Sequence, residues 1–207
     1  MFNSWLSAWS ALGVERSSAL VSIHAELISR YSEPHRHYHT MQHLGECFER
    51  LRELKAFIPH PAEVEIALWF HDAIYDTRKT DNEALSAQWA ADVALSLGAS
   101  KASAALLQNL VMATQHKAEP IGPDAQALVD VDLSILGASV KRFAEYERQI
   151  RQEYAWVPES MFKSKRAAVL KQFLEKPHIY CTPLFRQRYE ARARTNLEYS
   201  LSMLGQA

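Results

Sequence analysis

Apolar residues along this chain recur three and four positions apart, which is the spacing of the buried face of an α-helix. Four stretches show the pattern: Leu20, Ile23, Leu27 and Ile28; Leu44, Cys47, Phe48 and Leu51; Leu85, Trp89, Val93 and Leu97; and Val169, Leu170, Phe173 and Leu174. The strict alternation of apolar and polar residues that is typical of strands is hard to find. The pattern therefore predicts an all-α protein.

Proline and glycine separate the apolar stretches at short intervals. Val157-Pro158 and Thr182-Pro183 stand where helices are expected to begin, because proline is favoured at the first helical position. No repeat, low-complexity tract or long linker divides the chain. We predict a single domain over residues 1–207, a helical bundle of about nine helices.

Composition narrows the expected partners and location. The chain has 23 basic and 24 acidic residues, so no strong net charge directs it towards nucleic acid or an anionic membrane, and we expect neither as a partner. No apolar run approaches the roughly 20 residues that cross a bilayer, and the first residues do not resemble a signal peptide. Cys47 and Cys181 lie far apart and form no CxxC pair, which predicts two buried or neutral thiols in a reducing compartment. We expect a cytoplasmic protein, and the oligomeric state stays open.

Histidine is abundant, and four of the nine histidines fall between His35 and His43. Within residues 38–43 (YHTMQH), His39 and His43 are four positions apart and would share one face of a helix. Both imidazoles could then bind a metal, or one could bind while the other moves a proton. A solvated or hydrogen-bonded histidine pair is the alternative interpretation.

A His-Asp dipeptide, His71-Asp72, ends the apolar run Ala67–Phe70. Burying either side chain without a partner is costly, whereas a shared cation would make the burial tolerable. Because such dipeptides often occur by chance, this one is evidence for a metal site only in combination with the other candidate residues.

Two further carboxylates, Asp130 and Asp132, lie within the apolar stretch 129–136 (VDVDLSIL). Positions two apart on a helix diverge by about 200°, so one carboxylate should face inward and the other outward. The inward carboxylate would need a partner such as a cation. The alternative interpretation is that these aspartates are simply acids at the start of a helix.

Taken in order, these elements form an H…HD…D pattern that resembles the signature of the HD-domain superfamily of metal-dependent phosphohydrolases. Residues 38–43 also resemble the YHxxxH stretch of cyclic-nucleotide phosphodiesterases. Residues 30–39 (RYSEPHRHYH) and 70–76 (FHDAIYD) resemble a bacterial group of predicted phosphohydrolases in that superfamily. The tail, including 166–170 (RAAVL) and 179–182 (IYCT), resembles the same group.

The resemblance implies a helical HD-type fold and a hydrolase that cleaves a phosphomonoester or phosphodiester of a nucleotide-like substrate. It implies His43, His71, Asp72 and Asp132 as metal ligands. His39 would be the general acid that protonates the leaving group. Asp132 is preferred to Asp130 because Asp132-Leu133-Ser134 matches the family's final pattern of aspartate, hydrophobic residue and serine. A regulatory module that binds metal or nucleotide without turnover is the alternative.

Two histidines and two carboxylates are a mixed nitrogen and oxygen ligand set, which suits Mn, Fe, Co, Ni, Zn or Mg. A divalent ion lowers the pKa of bound water and polarises a phosphoryl oxygen. The sequence leaves open whether one ion or two would be bound.

Three more residues are candidates for roles around this site. Asp76 lies four positions after Asp72, and on a helix it would share that face and orient the attacking water or a ligand histidine. An acid paired with Arg78 or Lys79 is the alternative. Arg36 could bind a phosphate through two hydrogen bonds, or it could be solvated. His116 could bind a phosphate or a second metal, or it could be a surface histidine.

Overall fold

The computed structural model describes residues 1–205. That part of the chain contains ten α-helices, two short 3-10 helices (Lys55–Phe57 and Leu133–Gly137) and no strand. The α-helices are α1 (Phe2–Ala11), α2 (Ser18–Arg30), α3 (Met41–Leu54), α4 (Pro61–Phe70), α5 (Asn82–Ser96), α6 (Lys101–Ala113), α7 (Pro123–Asp132), α8 (Val140–Glu153), α9 (Glu159–Glu175) and α10 (Pro183–Leu204). The all-α prediction is confirmed, with ten helices in place of about nine.

Local sequence explains where several helices begin. The side chains of Ser17 and Thr40 accept hydrogen bonds from the first turns of α2 and α3. Ser100 and Ser139 do the same for α6 and α8, since such caps satisfy amide groups that lack a partner within the helix. Pro183 is the first residue of α10, as predicted.

Two helices, α1 and α4, differ in how much of their surface is buried. In α1 the buried residues Trp5, Ala8 and Trp9 lie three and four positions apart, on one face. In α4 every residue from 64 to 70 is buried, so this run has no exposed face. A helix buried all round reads as a short apolar run and carries little periodic signal.

The chain forms two compact units, Met1–Val131 and Asp132–Ala207. The prediction of a single domain over residues 1–207 stays a prediction. In the first unit, α4 contacts α1, α3, α5 and α6, and Trp5, Trp9 and Trp69 are fully buried within it. None of the helices within residues 1–205 is long and apolar enough to cross a membrane.

The second unit is built around α10, which contacts α9 and the 3-10 helix Leu133–Gly137. α8 contacts the same 3-10 helix. The side chain of Asn196 on α10 donates hydrogen bonds to the carbonyls of Leu136 and Ala138, at 2.8 and 3.0 Å. These bonds fix the end of the 3-10 helix against α10.

Candidate metal centre

The four predicted metal ligands are held at the ends of helices. His43 lies in the first turn of α3, and His71 is the C-terminal cap of α4, with Asp72 in the turn that follows. Asp132 is the last residue of α7, a helix whose other residues belong to the first unit. The helices hold the backbone of these residues in place, and the side chains meet at the helix ends.

Three of the donor atoms lie at the spacing that a single ion requires. The Nε2 atoms of His43 and His71 are 3.1 Å apart. The Oδ2 atom of Asp72 is 3.0 Å from Nε2 of His71 and 3.6 Å from Nε2 of His43. With metal–ligand bonds of about 2.1 Å, two donors at right angles stand about 3.0 Å apart. The three atoms are therefore spaced as neighbouring ligands of one ion.

With Asp132 included, the group offers one ligand atom from each of four residues, and these atoms all lie within 4.8 Å of one another. His43 and His71 are buried, whereas Asp72 and Asp132 are half-buried. Two imidazoles and two carboxylates satisfy the chemistry of a divalent cation site. The cluster could hold a metal ion, as the sequence predicted.

A main-chain contact fixes the tautomer of His71. Its Nδ1 atom lies 2.7 Å from the carbonyl oxygen of Leu68, which can only accept a hydrogen bond. Nδ1 therefore carries a proton, and Nε2, which lies nearest to Asp72 and His43, is the ring nitrogen left to bind a metal. Histidines that bind metals are usually oriented in this way.

Cys47 lies behind His43 on α3. Its Sγ atom is 3.7 Å from Nδ1 of His43, and its thiol lies 3.9 Å from the carbonyl oxygen of Val131. The thiol is buried, as predicted, and it does not belong to the group of residues that could hold an ion. Cys47 therefore packs against a ligand histidine without joining the donor set.

The electrostatic surroundings keep Asp72 ionised. Burial raises its pKa, but the charges of His71 and His39 and the hydrogen bonds from His43 and His71 outweigh burial and hold the pKa of Asp72 well below its usual range. The main-chain N–H of Asp72 donates to the hydroxyl of Tyr31 at 3.3 Å. Burial raises the pKa of Tyr31 to about 12, so this phenol stays protonated at neutral pH.

His39 reaches the site from a turn and not from a helix. α3 begins at Met41 with Thr40 as its cap, so the prediction that His39 and His43 share a helical face is wrong. The turn nevertheless brings the rings of His39 and His43 to a centroid distance of 5.8 Å. His39 also packs on Tyr75, with ring centroids 4.2 Å apart. The candidate general acid thus lies beside the cluster, half-buried.

Asp76 does not share a helical face with Asp72, because α4 ends at Phe70 and the following residues form a turn and a loop. The Asp76 carboxylate accepts the main-chain N–H of Arg78 at 2.9 Å. Its own main-chain N–H and carbonyl bond the side chain of Asn82. These contacts give Asp76 a structural task in the loop, and its predicted catalytic role stays a prediction.

Arg36 is buried and forms hydrogen bonds within the protein. Its side chain is 0% exposed. The guanidinium donates to main-chain carbonyls of His39, Asp72 and Ala73 and to the carboxylate of Glu33. The alternative of a solvated arginine is therefore wrong, and the predicted phosphate contact stays a prediction.

The remaining predicted residues divide between the cluster and its surroundings. Asp130 is 0% exposed, so the expectation of one outward-facing carboxylate on α7 is wrong; residues 127–131 are buried without a break. Asp132 is the carboxylate that joins the cluster. His116 follows the turn at the end of α6 and has a φ of 55°, and it is outside the group of possible metal ligands among residues 1–205. Its predicted phosphate or second-metal role stays a prediction.

Sequence reasoning gave no role to Tyr31, Cys47 or Tyr75, which contact the site residues. Cys47 carried a usable signal, because it follows His43 by four positions on α3 and so shares its face. Tyr31 and Tyr75 meet the site through contacts between separate loops and helix ends, which spacing along the chain does not reveal.

Comparison of the chain with protein-family models, with curated proteins and with solved structures finds no match in any of the three.

Proposed function

We propose that this protein is a metal-dependent phosphohydrolase of the HD type, acting on a phosphomonoester or phosphodiester of a nucleotide-like compound. The observation that carries the proposal is that His43, His71, Asp72 and Asp132 each offer one ligand atom, all within 4.8 Å of one another. The order of these residues in the chain, H…HD…D, adds support from the sequence.

The donor set favours hydrolytic chemistry. Two neutral imidazoles and two carboxylates balance the charge of a divalent ion, and among the residues described no thiolate joins them. Mn, Fe, Co, Ni, Zn or Mg would suit such a set. When bound, a divalent ion supplies a hydroxide near neutral pH and polarises the phosphoryl oxygen.

His39 is the residue that we assign to proton transfer. Its imidazole lies next to His43 and Tyr75, it is half-buried, and it stands outside the four-residue cluster. Such a group can donate a proton to the alcohol or phenol that leaves the phosphorus atom. A site that binds metal without turnover has no need of this histidine.

A regulatory module that binds a metal or nucleotide without turnover is the second candidate. The same four-residue cluster would bind the metal of such a module, so only the presence or absence of turnover distinguishes it from a phosphohydrolase. The test is a hydrolysis screen of metal-loaded protein over p-nitrophenyl phosphate, bis-p-nitrophenyl phosphate, nucleotides, cyclic nucleotides and sugar phosphates.

We expect turnover that requires added metal and that disappears in Asp72→Ala. Asp92→Ala serves as the matched control, because Asp92 is an exposed aspartate on α5 that bonds only a neighbouring glutamine among the contacts described. Metal binding without turnover of any substrate would favour the regulatory module. The absence of both would contradict both candidates.

A further inference from the structure

A buried arginine lies between the two turns that carry the candidate site. The side chain of Arg36 is 0% exposed, and its Cζ atom lies over the rings of Tyr31 and Tyr75 at 5.2 and 5.3 Å. Both distances suit a cation on an aromatic face. Arg36 is therefore held between two aromatic rings, one at the end of α2 and one in the loop after α4.

The hydrogen bonds of this guanidinium join residues far apart in the chain. One terminal nitrogen donates to the carbonyls of Asp72 and His39, at 2.6 and 3.3 Å. The other donates to the carbonyl of Ala73 at 3.0 Å. The Nε atom donates to Glu33 at 3.0 Å, which supplies the opposing charge. Buried charges require such partners.

We propose that Arg36 is a positioning residue that holds the His39 turn in register with the His71-Asp72 turn. The assignment rests on the proposed function, which makes Asp72 a metal ligand and His39 the general acid. Arg36 donates hydrogen bonds to the main-chain carbonyls of both residues, so a displacement of its guanidinium would displace both side chains. Tyr75 extends the arrangement, since its ring contacts both Arg36 and His39.

A planar guanidinium is suited to bonding several main-chain carbonyls at once. Its N–H groups form a rigid fork that can reach several carbonyls at once, whereas a lysine ammonium is a point charge on a flexible stem. Arg36→Lys thus keeps the charge and loses the fork. A group that merely neutralised Glu33 could be replaced by lysine without affecting the site.

The test compares Arg36→Lys with Arg30→Lys in the full chain. Arg30 also pairs with Glu33, at 3.6 Å, but its side chain is 44% exposed and pairs otherwise with Glu26. Each variant is loaded with Co²⁺, whose visible absorption reports the geometry of the site, and kcat and KM are measured with bis-p-nitrophenyl phosphate. Circular dichroism confirms folding.

We expect Arg36→Lys to bind Co²⁺ with an altered spectrum and to lose about 10- to 100-fold in kcat, since small misplacements of reacting groups have effects of that order. Arg30→Lys should match the wild type in both the Co²⁺ spectrum and kcat. If Arg36→Lys does not fold, the double variant Arg36→Met with Glu33→Gln removes both charges together, and the same loss is expected of it.

A folded Arg36 variant with the wild-type Co²⁺ spectrum and the wild-type kcat would overturn the assignment. The two proposals fail in different ways. If the wild type binds Co²⁺ and hydrolyses nothing, the phosphohydrolase proposal fails, while the Co²⁺ spectra of the variants still decide whether Arg36 positions the site.

Discussion

The Nε2 atoms of His43 and His71 lie 3.1 Å apart, although the two residues are 28 positions apart in the sequence. The Nδ1 proton of His71 is donated to the carbonyl of Leu68, so Nε2 is the ring nitrogen left to bind a metal. The ionised carboxylate of Asp72 lies beside both nitrogens. Two imidazole nitrogens and a carboxylate that converge in this way suit a cation placed between them. This arrangement favours an ion at the point where they meet.

The role of His39 can be separated from that of the ligands. His39→Ala should keep its metal and lose turnover by ~10² to 10⁴-fold, which is typical of a lost general acid. The loss should be smaller for p-nitrophenyl phosphate, because its leaving group needs little protonation. Steady-state kinetics with paired good and poor leaving groups, alongside metal analysis, checks this. A variant that loses its metal would make His39 a ligand instead.

Asp130 and Asp132 should respond differently to the same substitution. Asp132→Asn should lose metal affinity, since an amide oxygen lacks the charge that the cation requires. Asp130→Asn should keep most of the affinity and instead lower the free energy of unfolding by about 1–3 kcal/mol, because Asp130 is fully buried and its hydrogen bonding would change. Metal titration and urea denaturation of both variants make the comparison. The opposite ranking in metal affinity would place the fourth ligand at Asp130.

Much of the fold could be predicted because its helices obey local rules. The apolar spacing of α2, α3, α5 and α9 and the proline at the start of α10 are properties of neighbouring residues. The predictions of shared helical faces that were wrong also have local causes. The helix α3 begins two residues after His39, because the Thr40 side chain caps it there. Similarly, α4 ends at Phe70, before Asp72 and Asp76 could share a face.

The resemblance of the H…HD…D order to a known superfamily supplied the candidate ligands, whereas the supporting contacts could not be predicted. The guanidinium of Arg36 reaches Asp72 and Ala73 across 36 and 37 positions of sequence. An arginine near a cluster of histidines suggests a phosphate contact by its charge alone. Only the three-dimensional arrangement shows that its donors are directed at main-chain carbonyls.

Two glycines should respond in opposite directions to alanine. A Cβ atom at Gly137 would lie 2.8 Å from Cβ of Tyr189 and 2.9 Å from the hydroxyl of Tyr180. Gly137→Ala should therefore destabilise the protein by about 1–3 kcal/mol through overpacking. Gly45, in α3, has nothing within 4 Å of such a Cβ. Gly45→Ala should stabilise by about 0.5–1 kcal/mol, because alanine is the better helix former. Urea denaturation measures both, and a stable Gly137→Ala would contradict the packing described.

The pair His60 and Asp124 should make stability depend on pH. Nδ1 of His60 lies 2.8 Å from the carboxylate of Asp124, and this hydrogen bond raises the pKa of His60 above 6.5. Because the folded-state pKa is the higher one, the contribution is fully present below about pH 6.5 and is lost as pH rises through the folded-state value. The melting temperature of Asp124→Asn should thus fall further below that of the wild type at about pH 5.5 than at about pH 8.5. A gap that is independent of pH would contradict this, and NMR titration of His60 checks the shift directly.

Metal binding by His71 and Asp72 is the most direct test of the central claim. The wild type and the double variant His71→Ala with Asp72→Ala are titrated with Mn²⁺ or Co²⁺ under identical conditions, and helical circular dichroism is recorded for both. The account predicts saturable binding by the wild type and its loss in the double variant, with the helical signal largely intact, because helices of a chain this size do not need a metal to fold. Binding by the double variant with wild-type affinity and stoichiometry would contradict the account.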